Sequence, residues 1–180
     1  MDLVAASAEL ERNDDLHLAR LLILLDTFAG SDGTKSVEGL TKLAKLDFLL
    51  RYPAYLERAL LAKQKSAEQA AVEDYERRSI ESRMVRFRYG PWDHRYRRFL
   101  NVLVGRGLAR LEIEGRTVNI GITPEGRRLA ESLSESQAFR TTTRRAKLLK
   151  TNFNIGGTTL MRFIYATFPE IVSLRFNEEI

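Results

Sequence analysis

The order of patterns between residues 84 and 133 restricts the fold of this chain more than any other feature. Apolar residues recur at helical spacing between Trp92 and Val104, which predicts an amphipathic helix. Its buried face is expected to hold Tyr96, Phe99, Leu100 and Leu103. Residues 108–113 and 116–122 then alternate apolar and polar side chains around Glu114-Gly115, a pattern typical of a tight β-hairpin. Thr123 and Pro124 predict the start of another helix, since threonine caps helices and proline suits their first turn.

The other side of the helix from Trp92 to Val104 is polar and basic. Its side chains are His94, Arg97, Arg98 and Asn101. A helix followed by a hairpin is the layout of a winged helix, in which this helix is the recognition helix that enters the major groove of DNA. The sequence therefore predicts a binding module of the winged-helix class.

Further helices are expected on both sides of this module. Asp14-Asp15 is expected to cap a helix over residues 16–28, and Ser36 a second helix over residues 37–51. Lys42 and Lys45 are expected on the outer face of that second helix. Pro53 favours the start of a third helix, which ends near residue 62.

The tail adds a basic helix over residues 137–150 and a strongly apolar helix from Thr158 to Phe168. The predicted fold class is mainly α with a small β-hairpin wing, a winged helix-turn-helix domain with additional N- and C-terminal helices. The expected parts are an N-terminal helical part (1–62), a polar linker or exposed helix (63–78), the winged-helix module (79–133) and C-terminal helices (134–180).

Positive charge is concentrated in the predicted winged-helix module. The chain has a net charge of +5, but residues 83–128 alone hold 11 arginines against 4 acidic residues, a net of +7. Arginine offers a planar set of donors that suits phosphate and guanine edges. Arg83, Arg86 and Arg88 lie close together, and an extended segment would place Arg86 and Arg88 on one side. All three could hold phosphates without reading sequence. A solvated face that aids solubility, or contact with an acidic protein, would use the same residues.

The residues expected to contact DNA or an acidic partner follow from this pattern. They are Arg83, Arg86, Arg88, His94, Arg95, Arg97, Arg98, Asn101 and Arg116. In the apolar C-terminal helix, packing onto the domain is favoured over partner contact. The candidate partner-contact residues there are Phe163, Ile164, Tyr165 and Phe168.

The residues give little support to catalysis. The loop from Gly30 to Ser36 resembles a phosphate loop, but Thr34 separates Gly33 from Lys35 and the spacing is too short, so a polar loop between helices is favoured. His94 lies beside Asp93 in sequence, but no nucleophile accompanies it. With no cysteine and two histidines, neither a metal site nor a cofactor is expected.

Location follows from what the sequence lacks. Its first residues are acidic, which is the wrong charge for a signal peptide, and its longest aliphatic run, Leu21 to Leu25, is too short to span a bilayer. We therefore expect a cytoplasmic protein without membrane contact.

Two resemblances to known families add to this reading. The segment Ile122-Thr-Pro-Glu-Gly-Arg-Arg-Leu is similar to the end of the wing in MarR- and PadR-like winged-helix proteins. A broader resemblance is carried by three segments, Leu43-Ala-Lys-Leu-Asp-Phe-Leu-Leu-Arg-Tyr-Pro53, Arg86-Phe-Arg-Tyr-Gly-Pro-Trp92 and Phe163-Ile-Tyr-Ala-Thr-Phe-Pro-Glu170. Together they resemble the small middle component of bacterial ABC-three-component systems, a group that includes the Lamassu anti-phage systems.

That resemblance implies a complex with an SMC-like ABC ATPase and a nuclease-type or other effector. The small subunit is then a non-catalytic winged-helix subunit, similar to the accessory subunits of SMC complexes. Its basic helix would contact the ATPase or hold double-stranded DNA through phosphates. The alternative is a free-standing transcription regulator, a homodimer that reads an operator through His94, Arg97, Arg98 and Asn101.

Overall fold

A computed structural model describes residues 14–78, 85–87, 90–176 and 180 of the chain. The helices are α1 (Asp14–Ala29), α2 (Leu40–Arg51), α3 (Pro53–Ala62), α4 (Asp74–Arg78), α5 (Tyr96–Gly105), α6 (Pro124–Glu135), α7 (Arg140–Phe153), α8 (Gly157–Thr167) and α9 (Pro169–Ser173). Two short 3₁₀ turns cover Ala67–Ala70 and Gln137–Phe139. The strands are β1 (Val37–Glu38), β2 (Val85–Phe87), β3 (Gly90–Trp92), β4 (Ala109–Glu114) and β5 (Thr117–Ile122). The described chain is therefore mainly helical with a small three-stranded antiparallel sheet.

The three-stranded sheet has the order β1-β5-β4, and both pairings are antiparallel. The predicted hairpin is confirmed, with Glu114 paired with Thr117 across a turn in which Gly115 has a φ of 61°. Strand β1 was not predicted. The chain extends at Val37, which pairs with Ile120, so helix α2 begins only at Leu40 and the prediction that Ser36 caps it is wrong.

Helix α1 lies in the centre of the core. It packs against α5, α6, α7 and the sheet, and most of its side chains are buried. Asp14 and Asp15 lie inside the helix, in its first described turn, and not ahead of it as capping residues. One cluster of buried side chains runs from Leu18 to Ile171, so it includes residues from the N-terminal part, the hairpin and the C-terminal helices.

Helix α2 is buried on nearly all sides, which contradicts the prediction of an outer face with lysines. Lys42 and Lys45 are 5% and 2% exposed, because the C-terminal helices α7 and α8 cover the side that the sequence pattern leaves polar. The Lys45 ammonium donates to the carbonyl of Thr41 at 3.1 Å. Burial lowers the pKa of Lys45 from 10.5 to about 8.

The change Lys45→Met should stabilise the protein. We expect the free energy of unfolding at neutral pH to rise by about 1–3 kcal/mol, because methionine fills a similar volume without a buried charge. Between the folded-state pKa of about 8 and the unfolded value of 10.5, the unfolded chain binds the extra proton, so wild-type stability rises with pH in this range. The advantage of methionine should therefore shrink in urea unfolding at alkaline pH. Equal gains in the exposed control Lys65→Met, or a gain independent of pH, would contradict this account.

The junction between β5 and α6 follows the prediction. Thr123 caps α6 by accepting a hydrogen bond from the backbone N–H of Gly126 at 3.0 Å, and its hydroxyl donates to the carbonyl of Gly107. A Cβ at Gly126 would lie 1.9 Å from the backbone oxygen of Leu108. Glycine is therefore required here for close packing of α6 against the chain that enters β4.

The polar segment 63–78, for which the sequence left a linker and an exposed helix open, forms a 3₁₀ turn and the short helix α4. It is held by Arg145 of α7, which is buried. The Arg145 guanidinium donates to the carbonyls of Ala70 and Ala71 at 2.9 and 2.8 Å, and to both carboxylate oxygens of Glu76 at 2.7 Å each. One buried arginine thus attaches residues 70–76 of this segment to the C-terminal part of the chain.

Among the described residues, no helix is both long enough and apolar enough to cross a membrane.

Candidate binding surface on helix α5

Helix α5 begins at Tyr96, four residues later than predicted. Gly90 and Pro91 lie in β3, which pairs with β2, and residues 93–95 lead into the helix. Asp93 stops an earlier start, because its side chain accepts a hydrogen bond from the backbone N–H of Arg95 at 2.9 Å. The predicted buried face is confirmed, since Tyr96, Phe99, Leu100 and Leu103 are all at most 5% exposed.

The opposite side of the helix is exposed to solvent. It carries Arg97, Arg98 and Asn101, which we call the α5 face, and the exposed His94 precedes it in the turn. Arg98 forms an ion pair with Asp14 at 2.7 Å, but both side chains are largely exposed, so this pair adds little stability and a phosphate could replace the carboxylate. The predicted surface residues of the helix therefore share one accessible side.

Arg95 has a different role from its neighbours. Its guanidinium donates to both carboxylate oxygens of Asp93, with Nε–Oδ1 at 3.0 Å and Nη2–Oδ2 at 2.8 Å. Arg51 of α2 donates to the same carboxylate at 2.9 Å. Burial alone would raise the pKa of Asp93, but hydrogen bonds from Arg95 and Arg51 hold it well below its ordinary value. The sequence predicted Arg95 as a contact residue, whereas the structure places it in an ion-pair cluster that fixes the start of α5.

A second buried carboxylate connects three helices. Asp47 of α2 is fully buried and accepts two hydrogen bonds from Arg20 of α1, at 2.6 and 3.0 Å. The hydroxyl of Tyr96, in the first turn of α5, donates to it at 2.6 Å. Burial opposes ionisation of Asp47, but the charge of Arg20, its hydrogen bonds and the nearby Arg51 bring the pKa below the ordinary value.

These two carboxylates set the position of the α5 face. Asp47 attaches α5 to α1 and α2, and Asp93 attaches the preceding turn to α2. Sequence reasoning missed this network. Two signals of this network were present in the sequence. Asp47 and Arg51 lie four residues apart within an apolar helix, a spacing that suits an ion pair. Asp93 lies three residues before Tyr96, a spacing at which a capping side chain can accept a backbone hydrogen bond.

The hairpin offers only one of the predicted contacts. Arg116 is exposed at the turn between β4 and β5, next to the exposed Glu114. Ile113 and Leu111 of β4 are 76% and 40% exposed, so the outer part of the hairpin is apolar and acidic as well as basic. A strongly basic wing is therefore not present on the described hairpin.

The basic segment before the helix is only partly within the described chain. Strand β2 confirms that residues 85–87 are extended, as predicted, and pairs Arg86 with Pro91. Arg83 and Arg88 lie outside the described residues, as does the side chain of Arg86. Their alignment beside the α5 face stays a prediction.

The three segments that carry the broader resemblance meet in space. Helix α2 packs against β3 and α8, and β3 also contacts α8 and α9. At the centre of this region, the ring of Phe168 lies 6.0 Å from Phe48 and 5.0 Å from Tyr55. Glu170 pairs with Arg58 at 2.5 Å. The segments therefore form one packed unit beside the ion-pair cluster of α5.

The candidate partner-contact residues of the C-terminal helix divide into two groups. Ile164 and Phe168 are fully buried in the core of this chain. Phe163 and Tyr165 are half-buried, and Phe163 packs against Phe153 with ring centroids 5.4 Å apart. A partner could reach only the second group without opening the core.

Two features weighed for catalysis are parts of structural contacts. Asp93, which lies beside His94 in sequence, accepts hydrogen bonds from Arg51 and Arg95. The loop after α1 closes through a hydrogen bond from the Lys35 N–H to the Ala29 carbonyl at 3.0 Å. Gly30 and Gly33 have φ values of 83° and 70°, so they are turn residues of a loop that leads into β1.

Comparisons of the chain with protein-family profiles, with curated proteins and with solved structures found no match.

Proposed function

We propose that this chain is a non-catalytic winged-helix subunit that binds the backbone of double-stranded DNA through the α5 face. In a winged helix, the short strand before the second helix pairs with the last strand of the hairpin. Here β1 precedes α2 and pairs with β5, which lies in the centre of the sheet. The order α1, β1, α2, α5, β4, β5 supports the proposal, with residues 53–95 forming an insertion between α2 and α5.

The observation that carries the proposal is the exposed side of α5, a helix whose start is held by buried ion pairs and hydrogen bonds. Arg97, Arg98 and Asn101 face solvent, and the Asp47 and Asp93 networks hold the first turn of their helix. Arginine donors suit phosphate oxygens, and a side chain on a fixed helix loses less conformational freedom on binding. Backbone contact is favoured over base readout because the described hairpin adds only Arg116.

We further propose, from the resemblance, that the chain acts within a Lamassu-type defence complex. It would bridge an SMC-like ABC ATPase and help to couple DNA engagement to a nuclease-type effector. The three resembling segments pack together beside the start of α5, which gives such a partner one continuous region to engage. The half-buried Phe163 and Tyr165 lie in this region.

Charge reversal on the α5 face tests the DNA contact. For Arg97→Glu with Arg98→Glu, we expect weaker binding to a labelled duplex in fluorescence anisotropy. The slope of log affinity against log salt should fall by about 1.8, since each phosphate contact contributes about 0.9. The matched control is Arg128→Glu with Arg162→Glu, which reverses the same charge on exposed positions of α6 and α8. An unchanged slope in the α5 variant, or an equal loss in the control, would remove the proposal.

Purification of the tagged chain from its native host tests the assembly. Stoichiometric recovery of a large ABC ATPase and an effector-like chain is the expected result. Recovery of a homodimer alone, which binds one duplex sequence much more tightly than others, would favour the transcription regulator instead.

A further inference from the structure

A second basic surface lies on helix α7, apart from the α5 face. Arg140, Arg144 and Lys147 occur at i, i+4 and i+7, so they share one side of the helix, and all three are exposed. They line a groove of about 440 Å³ together with Ser134 and Thr143. We call this the α7 groove. Arg145, the next residue after Arg144, points the other way and is buried against residues 70–76.

The cations of the α7 groove are not neutralised by the described part of the chain. None of the three forms an ion pair with another described residue, and no carboxylate is among the described residues that line the groove. Four arginines elsewhere are paired with acids, in Arg58–Glu170, Arg110–Glu112, Arg127–Glu131 and Arg128–Glu125. Like charges four residues apart on a helix repel each other. An anion in the groove would relieve this repulsion.

The groove also offers uncharged donors. The hydroxyl of Thr143 is buried and has no hydrogen-bond partner among the described residues. Ser134, from the end of α6, lines the same space, as does Thr151, whose hydroxyl donates to the carbonyl of Lys147 at 3.0 Å. Hydroxyls beside arginine and lysine are the donor set that binds phosphate oxygens in protein–DNA contacts.

The shape of the cationic row indicates which phosphates fit. Along the helix axis, Arg140 and Arg144 are about 6 Å apart and Arg144 and Lys147 about 4.5 Å apart, at 1.5 Å per residue. A row of about 10 Å matches several successive phosphates of a strand better than one isolated ion. The described lining residues include no aromatic ring on which an unpaired base could stack, which favours a duplex backbone over a single strand.

The two basic surfaces belong to helices that do not pack against each other. In the described chain, α5 and α7 each pack against α1 but not against one another. The side of α7 that carries Arg145, Ala146 and Leu149 is buried, so the exposed groove residues lie on its outer side. The α5 face and the α7 groove are therefore two separate surfaces.

We propose that the α7 groove binds the phosphate backbone of a second duplex DNA segment, so that one copy of the chain bridges two segments. This inference rests on the proposed binding of a first segment by the α5 face. It assigns to α7 a function that does not depend on base sequence, and it gives the chain two separate phosphate-binding surfaces.

Capture of one duplex by another tests the bridge. One duplex is fixed to beads, protein is added, and retention of a second, labelled duplex is measured. The groove variant combines Arg140→Gln, Arg144→Gln and Lys147→Gln. We expect it to bind the duplex on the beads as before, but to retain about tenfold less, or still less, of the second duplex. The matched control removes three exposed charges elsewhere, with Lys65→Gln, Arg128→Gln and Arg162→Gln, and should retain the second duplex as the wild type does.

The outcomes separate the two proposals. Retention of the second duplex by the groove variant at the wild-type level would overturn the bridge, and it would indicate that two copies bridge through their α5 faces. If the wild type retains no second duplex at low salt, the bridge is also overturned. The groove variant could also fail to bind the duplex on the beads while the α5 variant still binds it. The groove would then be the single duplex site, so both the bridge and the α5 proposal fail. Tight binding of inorganic tripolyphosphate by the groove without duplex retention would assign it to a free anion and overturn the duplex assignment.

Discussion

Replacing Asp47 with alanine is expected to lower the free energy of unfolding by about 3–5 kcal/mol, because the change leaves the largely covered Arg20 cation and the buried Tyr96 hydroxyl without their partner. Asp47 is fully buried, and it accepts hydrogen bonds from Arg20 and Tyr96. Without the carboxylate, the partly buried Arg20 guanidinium and the buried Tyr96 hydroxyl have no acceptor at that position. Urea unfolding followed by circular dichroism measures the loss as a lower midpoint.

Two milder variants identify the cause. Tyr96→Phe removes one hydrogen bond to Asp47 and should cost about 1–2 kcal/mol. Asp47→Asn keeps the shape of the side chain but loses its charge, so its cost should lie between those of the other two variants. A loss in Asp47→Ala no greater than that in Tyr96→Phe would show that the ion pair with Arg20 contributes little.

The same carboxylate should make stability depend on acid pH. In the folded chain the pKa of Asp47 lies below its ordinary value. At any pH between these two pKa values, the unfolded chain binds the proton more readily than the folded chain. Stability contributed by Asp47 is present above the ordinary pKa and is lost as pH falls towards the folded-state value. The decline of the urea midpoint below about pH 4 should therefore be shallower in Asp47→Asn than in the wild type.

The second large effect is expected at Arg145. Arg145→Leu should lower the free energy of unfolding by about 2–4 kcal/mol, because it removes four hydrogen bonds and leaves the Glu76 carboxylate and two carbonyls without their donor. The loss should be concentrated in residues 67–78. Hydrogen exchange would detect it as faster exchange in this segment than in α1 or α2.

The neighbouring residue provides the control. Arg144→Leu removes the same kind of side chain from the exposed side of α7, so its stability should stay within about 0.5 kcal/mol of the wild type. If the two variants lose the same stability, or if exchange in residues 67–78 is unchanged in Arg145→Leu, the segment is held by other contacts.

Local patterns in the sequence were enough for the elements that depend on neighbouring residues. The hairpin, the cap at Thr123 and the buried face of α5 follow from spacing within a few residues, and the structure confirms them. The exposed positions of Arg97 and Asn101 follow from the same helical period. These features require no knowledge of what packs against them.

Features that depend on distant partners could not be predicted in this way. Strand β1 has only two residues, and it is extended because Val37 pairs with Ile120. The sequence pattern places Lys45 on the surface, whereas in the structure helices from the other end of the chain cover it. Arg144 and Arg145 are neighbouring residues of the same type, so the sequence does not indicate which of them is buried. Arg145 is the buried one because it donates to the carbonyls of residues 70 and 71.

The pairing of β1 with β5 also determines when the core can be completed during synthesis. Val37 leaves the ribosome long before its partner Ile120 has been made, a separation of about 80 residues. At about 5–20 residues per second, the N-terminal helices wait for roughly 4–16 seconds with their apolar sides uncovered. Closure of the Asp47 network needs a shorter interval, roughly 2–10 seconds at the same rate, because Tyr96 follows Asp47 by 49 residues. We therefore expect the nascent chain to be most exposed to aggregation before the hairpin emerges.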